Sequence, residues 1–179
     1  MIYHDEWCVL HIPRTSGTNF KANAVLKYNN RVKLPYYKNT VKDRLQQHNP
    51  LSSFDIGSRQ SYAIVRHPYT RALSLYNYAL NDKEFLKLFD KVSFREFWDL
   101  DISEFCDWSL KDNQYEFMAK DTVWFKLEDS LSKLYAATKV PLYKKFINSS
   151  IASYETHYSK ENKDIVENIF KEDYYIFNY

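Results

Sequence analysis

The sequence predicts an α/β fold, a single domain over residues 1–179 with a central parallel sheet flanked by helices. Three apolar runs read as buried strands, residues 7–12, 61–65 and 121–127, and each precedes a segment whose apolar residues recur at helical spacing. That repeated order of strand and helix argues for parallel strands with helices on the sheet faces. The chain is long enough to bury a core, and 45% hydrophobic and 18% aromatic residues are more than a disordered chain carries.

In chain order, the first strand carries Trp7-Cys8-Val9-Leu10, and the Met1–Glu6 segment before it, with His4, reads as a frayed terminus. Thr18 is the expected N-cap of the helix that follows, with Phe20, Ala24 and Val25 facing inward. Ser61–Val65 forms the second strand, and Pro68 starts a helix with Tyr69, Ala72, Leu73, Tyr76, Ala79 and Leu80 on one face. A capping box, Ser93-Phe-Arg-Glu96, opens a short helix through Phe97 and Trp98. The third strand follows, and Ser159 caps a final helix with Ile165, Val166, Ile169 and Phe170 inward. Residues 29–58 and 140–158 mix Asn, Ser, Lys and Tyr without sustained periodicity and read as loops.

Charge and composition narrow the function classes. A net charge of +2, from 25 basic and 23 acidic residues, gives no general attraction for nucleic acid or an anionic membrane, so any basic site is local. No run approaches the length of a membrane span and the N-terminus lacks the order of a signal peptide, so the expectation is a soluble, cytoplasmic protein. Cys8 and Cys106 lie far apart and read as thiols. No H-E-x-x-H, cysteine pair or carboxylate cluster has ligand spacing, so no metal is expected; Asp99, Asp101, Glu104 and Asp107 read as a solvated face.

The segment His11-Ile-Pro-Arg-Thr-Ser-Gly-Thr-Asn-Phe20 carries the most chemistry. Only two glycines occur, Gly17 and Gly57, and placing one among small hydroxyl residues at a strand-to-helix turn suggests a backbone that a ligand, phosphate above all, approaches closely. A Walker A loop is absent, since there is no Gly-Lys pair and no first glycine at the required spacing. What remains is one fixed cation, Arg14, with the hydroxyls of Thr15, Ser16 and Thr18 within reach of an anion; a plain strand-to-helix turn explains the loop alone equally well. A second element repeats the design. Arg66 ends the second strand where open α/β sheets place ligands, and in the next helix Arg71 and Ser74 are three apart and could close on one further phosphate. Arg71 is otherwise a solvated helix charge.

These residues resemble a known family. Ile12-Pro-Arg-Thr-Ser-Gly-Thr18 is similar to the 5'-phosphosulfate-binding loop of sulfotransferases that use 3'-phosphoadenosine 5'-phosphosulfate (PAPS), and Ala63–Tyr76 resembles their 3'-phosphate-binding element. The likeness is to the carbohydrate and membrane-associated members, in a compact soluble version. Trp124-Phe-Lys-Leu-Glu-Asp129 and Ile165–Tyr179 resemble later parts of the same family more weakly. The resemblance implies a P-loop-like domain and transfer of a sulfuryl group from PAPS to a hydroxyl or amine, a carbohydrate being one such acceptor, with 3'-phosphoadenosine 5'-phosphate (PAP) as product. By position it implies that Arg14, Thr15, Ser16, Gly17, Thr18 and Asn19 cradle the 5'-phosphosulfate and that Arg66 and Ser74 bind the 3'-phosphate. Arg14 departs from the commoner lysine; it supplies fixed positive charge to the leaving phosphate but stays protonated, so it cannot act as an acid.

A hydroxyl acceptor also needs a base, and histidine suits that task near neutral pH. Of His4, His11, His48, His67 and His157, the expected base is His48, in Arg44-Leu-Gln-Gln-His-Asn-Pro50 between the two motifs, where related enzymes carry an acceptor-side base. An alternative alignment sets their histidine against Asn39. Tyr36 and Tyr37 could stack on a sugar or the adenine, and Lys144-Lys145 could cover the nucleotide end, with core and surface roles as the plainer readings. Two rivals stand beside the sulfotransferase reading: a P-loop-type small-molecule kinase, which needs the absent Gly-Lys, and a non-catalytic nucleotide-binding protein.

Overall fold

The computed structural model describes residues 1–33, 48–81, 87, 91–100, 112–141 and 158–179. In chain order its elements are β1 (Ile2–Tyr3), β2 (Trp7–Val9), α1 (Gly17–Tyr28), β3 (Gln60–Val65), α2 (Pro68–Leu80), α3 (Phe94–Asp99), β4 (Val123–Lys126), α4 (Leu131–Thr138), α5 (Lys160–Ile169) and α6 (Lys171–Phe177). They divide between two compact units, residues 1–66 with 114–147 and residues 67–113 with 148–179. No helix among the described residues is long and apolar enough to cross a membrane.

The first unit holds a mostly parallel sheet in the order β1-β2-β3-β4, flanked by helices, which makes the fold α/β. β2 and β3 run parallel with Val9 beside Tyr62, and β3 and β4 run parallel with Val65 beside Lys126. Leu10 N–H to Tyr62 O and Leu127 N–H to Val65 O, both 2.8 Å, carry the ladders one residue further. Side chains alternate across the strands, so one sequence serves two cores. Trp7, Val9 and Ile64 pack against Phe20 and Ala24 of α1 and Leu134 and Tyr135 of α4. The neighbours Cys8, Leu10, Ile12 and Ala63 pack the other way, against Leu51 and Phe117. Burial pushes the Cys8 thiol up to about 11, so it stays protonated and inert near neutral pH.

Four expectations for this unit need correction. β2 stops at Val9 instead of reaching Ile12, because after Leu10 the chain leaves the ladder and forms the loop ahead of α1. β4 is an edge strand, with Val123 and Trp124 43% and 37% exposed, so the run at 121–127 is not a buried strand. The N-terminus is not frayed: Ile2 pairs with Val9 and Tyr3 with Cys8, antiparallel, and His4 stacks on Trp7 with ring centroids 4.9 Å apart. In α1, Phe20 and Ala24 are fully buried but Val25 is 38% exposed. Position 25 is five residues from Phe20 and off its face, whereas Asn23, three residues away, turns inward and donates from Nδ2 to Asn19 O at 3.0 Å.

The second unit is helical. Pro68 opens α2 as expected, and the His67 ring serves as its cap, Nδ1 accepting from Tyr69 N–H at 3.3 Å. The Ser93–Glu96 capping box opens α3, and Ser159 caps α5 by accepting from Asn162 N–H at 3.2 Å. Ala72, Leu75, Phe97, Val166 and Phe170 lie in its core, with Tyr76, Ile165 and Ile169 only partly buried. The expected final helix is two helices, because Phe170 leaves helical geometry at φ −107°, ψ 27° while its ring stays fully buried. Arg71 is not a solvated charge. It is fully buried, donates from Nη1 to Asp112 O at 2.8 Å and lies 5.2 Å over the Phe170 ring.

Candidate functional site

The loop between β2 and α1 and the residue after β3 both leave the carboxyl edge of the parallel strands, where open α/β sheets bind ligands. Within the loop, Arg14 (φ 65°) and Ser16 (φ 73°) adopt the left-handed conformation that disfavours side chains, so surrounding bonds must hold them there. They do so from both sides. The Thr15 hydroxyl donates to Ile12 O at 3.0 Å, Ser16 O accepts from the N–H groups of Asn19 and Phe20 at 3.0 and 3.2 Å, and Arg14 O accepts from Arg66 Nη1 at 3.2 Å. The hydroxyl of Thr15 is thus turned inward and fully buried, while Ser16 is partly exposed and Thr18 exposed. α1 begins at Gly17 with Ser16 in the cap position and no side-chain cap bond, so Thr18 is not the N-cap. The N–H groups of Gly17 and Thr18 meet no acceptor among the described residues, which suits an anion at the start of a twelve-residue helix.

Gly17 is required by a close approach, but the neighbour is a side chain of the protein itself. A Cβ there would stand 2.1 Å from Cδ2 and 2.8 Å from Nε2 of His11. His11 lies just beyond β2, 9% exposed, with Nε2 3.4 Å from the Thr18 hydroxyl.

Arg66 is 9% exposed and its main chain is clamped at two points by Gln114, whose Oε1 accepts from Arg66 N–H at 2.7 Å and whose Nε2 donates to Arg66 O at 2.8 Å. The fully buried Gln114 went unnoticed in the sequence because a lone glutamine in a polar stretch carries no local marker; only its pairing with a residue 48 positions away reveals it. His48 Nδ1 lies 2.7 Å from His11 O, and the two rings are 4.7 Å apart. A carbonyl only accepts, so Nδ1 carries the proton and the neutral ring has its lone pair on Nε2. The structure therefore brings Arg14, the loop through Asn19, Arg66 and His48 into one unit. Ser74, 6% exposed on α2, belongs to the other.

Residues 4–133 match the Sulfotransferase family model, most of the chain and both arginine-bearing segments. The chain belongs to the sulfotransferase family. No curated protein and no solved structure matched it. In this sulfotransferase-family chain the matched span contains Arg14, His48, Arg66 and Ser74 and ends before α5 and α6. Tyr36, Tyr37, Asn39, Cys106, Lys144, Lys145 and His157 lie outside the described residues, as do Asp101, Glu104 and Asp107; Asp99 is exposed.

Proposed function

We propose that this family member transfers a sulfuryl group from PAPS to a hydroxyl or amine acceptor, a carbohydrate being one such acceptor. The observation that carries this reading is the hydrogen bond from Arg66 Nη1 to Arg14 O, because it joins the two segments that resemble the donor-binding motifs at one sheet edge. The loop from Arg14 to Asn19 cradles the 5'-phosphosulfate, its helix-start N–H groups and the Arg14 cation meeting anionic oxygens. Arg66 takes the 3'-phosphate; the resemblance alone gives Ser74 a share in that task.

Catalysis then rests on alignment and charge, as in phosphoryl transfer. His48 Nε2 removes the acceptor proton while the acceptor oxygen bonds to sulfur and the bond from sulfur to the bridging oxygen breaks in line. Arg14 stabilises the charge that grows on that oxygen, and PAP leaves. No step requires a metal ion, which sets this reading apart from the kinase.

The test supplies sulfur-labelled PAPS and, in parallel, γ-labelled ATP, each with a panel of carbohydrate, phenol and amine acceptors in EDTA. Label is expected to pass from PAPS and not from ATP. Transfer of phosphate from ATP, or tight PAP binding without transfer to any acceptor, would replace this reading with the kinase or the non-catalytic binder.

A further inference from the structure

Three features outside the donor contacts invite a role: the buried Arg71–Asp112 contact, the exposed pair Val123 and Trp124 on β4, and the buried His11. The first is accounted for by packing within its own unit, and nothing shows what covers the second. His11 is different because it touches two parts of the candidate site at once.

We propose that His11 is a positioning residue that ties the donor loop to the base. Its ring fills the space beneath Gly17, as the 2.1, 2.8 and 3.1 Å approaches of Cδ2, Nε2 and Cγ to a Gly17 Cβ show, and Nε2 stands 3.4 Å from the Thr18 hydroxyl. Its carbonyl oxygen, 2.7 Å from His48 Nδ1, holds the proton on that nitrogen and leaves Nε2 basic. One residue thus sets both the height of the turn that begins α1 and the tautomer of His48. A displacement of His11 by the loop would misalign the base, and the reverse. The catalytic meaning of this link rests on the sulfotransfer reading above; the link itself does not.

Two measurements test it, the first on the ligand-free protein. In long-range nitrogen–proton NMR spectra, at a pH where the ring is neutral, His48 is expected to carry its proton on Nδ1; a proton on Nε2 overturns the proposal. The second is a mutant cycle. Gly17→Ala is compatible with a helical backbone, yet its methyl group meets His11, and overpacking of this kind should weaken PAP binding about tenfold, lower the thermal midpoint and shift the His48 signals. His11→Ala alone should also weaken binding, by opening space under the turn. The double variant should bind PAP better than the product of the two losses by roughly threefold or more, because the added methyl fills part of the vacated space. Additive losses, or a Gly17→Ala protein indistinguishable from the unmodified one, overturn the link. If PAP binds none of these proteins, the sulfotransfer reading fails instead, while the midpoints and the His48 signals still decide the role of His11.

Discussion

His48→Ala is expected to bind PAP with nearly unchanged affinity and to turn over roughly 10² to 10⁴ times more slowly, the span usual for loss of a general base. The separation follows from position. His48 hydrogen-bonds to the carbonyl of His11 just beyond β2, whereas the groups proposed to bind the donor anions are the N–H groups of the loop and the two arginines. Losing the His48–His11 hydrogen bond costs about 0.5–1.5 kcal/mol of stability, too little to account for such a rate. His48→Asn sharpens the comparison, since its amide places an N–H near the Nδ1 position and keeps the bond to His11 O without offering a base. It should be as slow as the alanine variant and more stable. Near-normal turnover in either would remove His48 from the mechanism. Arg14→Ala should fail differently, losing donor affinity and turnover together, because the same cation meets the bound anion and the growing charge.

Arg66→Ala is expected to lower PAP affinity by roughly tenfold to a hundredfold and to erase most of the preference for PAP over adenosine 5'-phosphate. Charge-assisted hydrogen bonds contribute about 1.5–3 kcal/mol each, and Arg66, 9% exposed as a residue, is less screened by solvent than a surface arginine. The fold should survive, since Gln114 clamps the main chain of residue 66 and those two bonds do not depend on its side chain. The bond to Arg14 O is lost, so part of the effect is a looser loop. Arg66→Lys separates the contributions: it restores the charge but not the planar fork, and should recover only part of the affinity. Equal affinities of the alanine variant and the unmodified protein for PAP, by calorimetry, would show that the 3'-phosphate is bound elsewhere.

Which features were legible in the sequence follows from how local their causes are. The α2 start at Pro68, the capping box at Ser93–Glu96 and the Ser159 cap depend on residues within one turn, and all three stand as expected. The parallel strands were visible as apolar runs, yet which run lies at the sheet edge depends on neighbours distant in sequence, so the exposure of Val123 and Trp124 on β4 was not. β1 has two residues and pairs with β2 after a tight turn, too short for any period to register. Arg14, Arg66 and Gly17 stood out by type and place, whereas the reason for Gly17 did not. A glycine facing a ligand and a glycine facing a buried ring look alike in a sequence, and only the His11 approach tells them apart. Gln114 and Arg71 show the same limit, one holding the main chain of Arg66 and the other buried against Asp112 and Phe170.

The most direct test of donor recognition is a calorimetric titration of the unmodified protein in EDTA with PAP and, separately, with adenosine 5'-phosphate. PAP should bind without metal and at least about tenfold more tightly, one charge-assisted phosphate contact making that difference. Equal affinity for the two nucleotides, or PAP binding only when magnesium is restored, would contradict a donor site built from the Arg14 loop and Arg66.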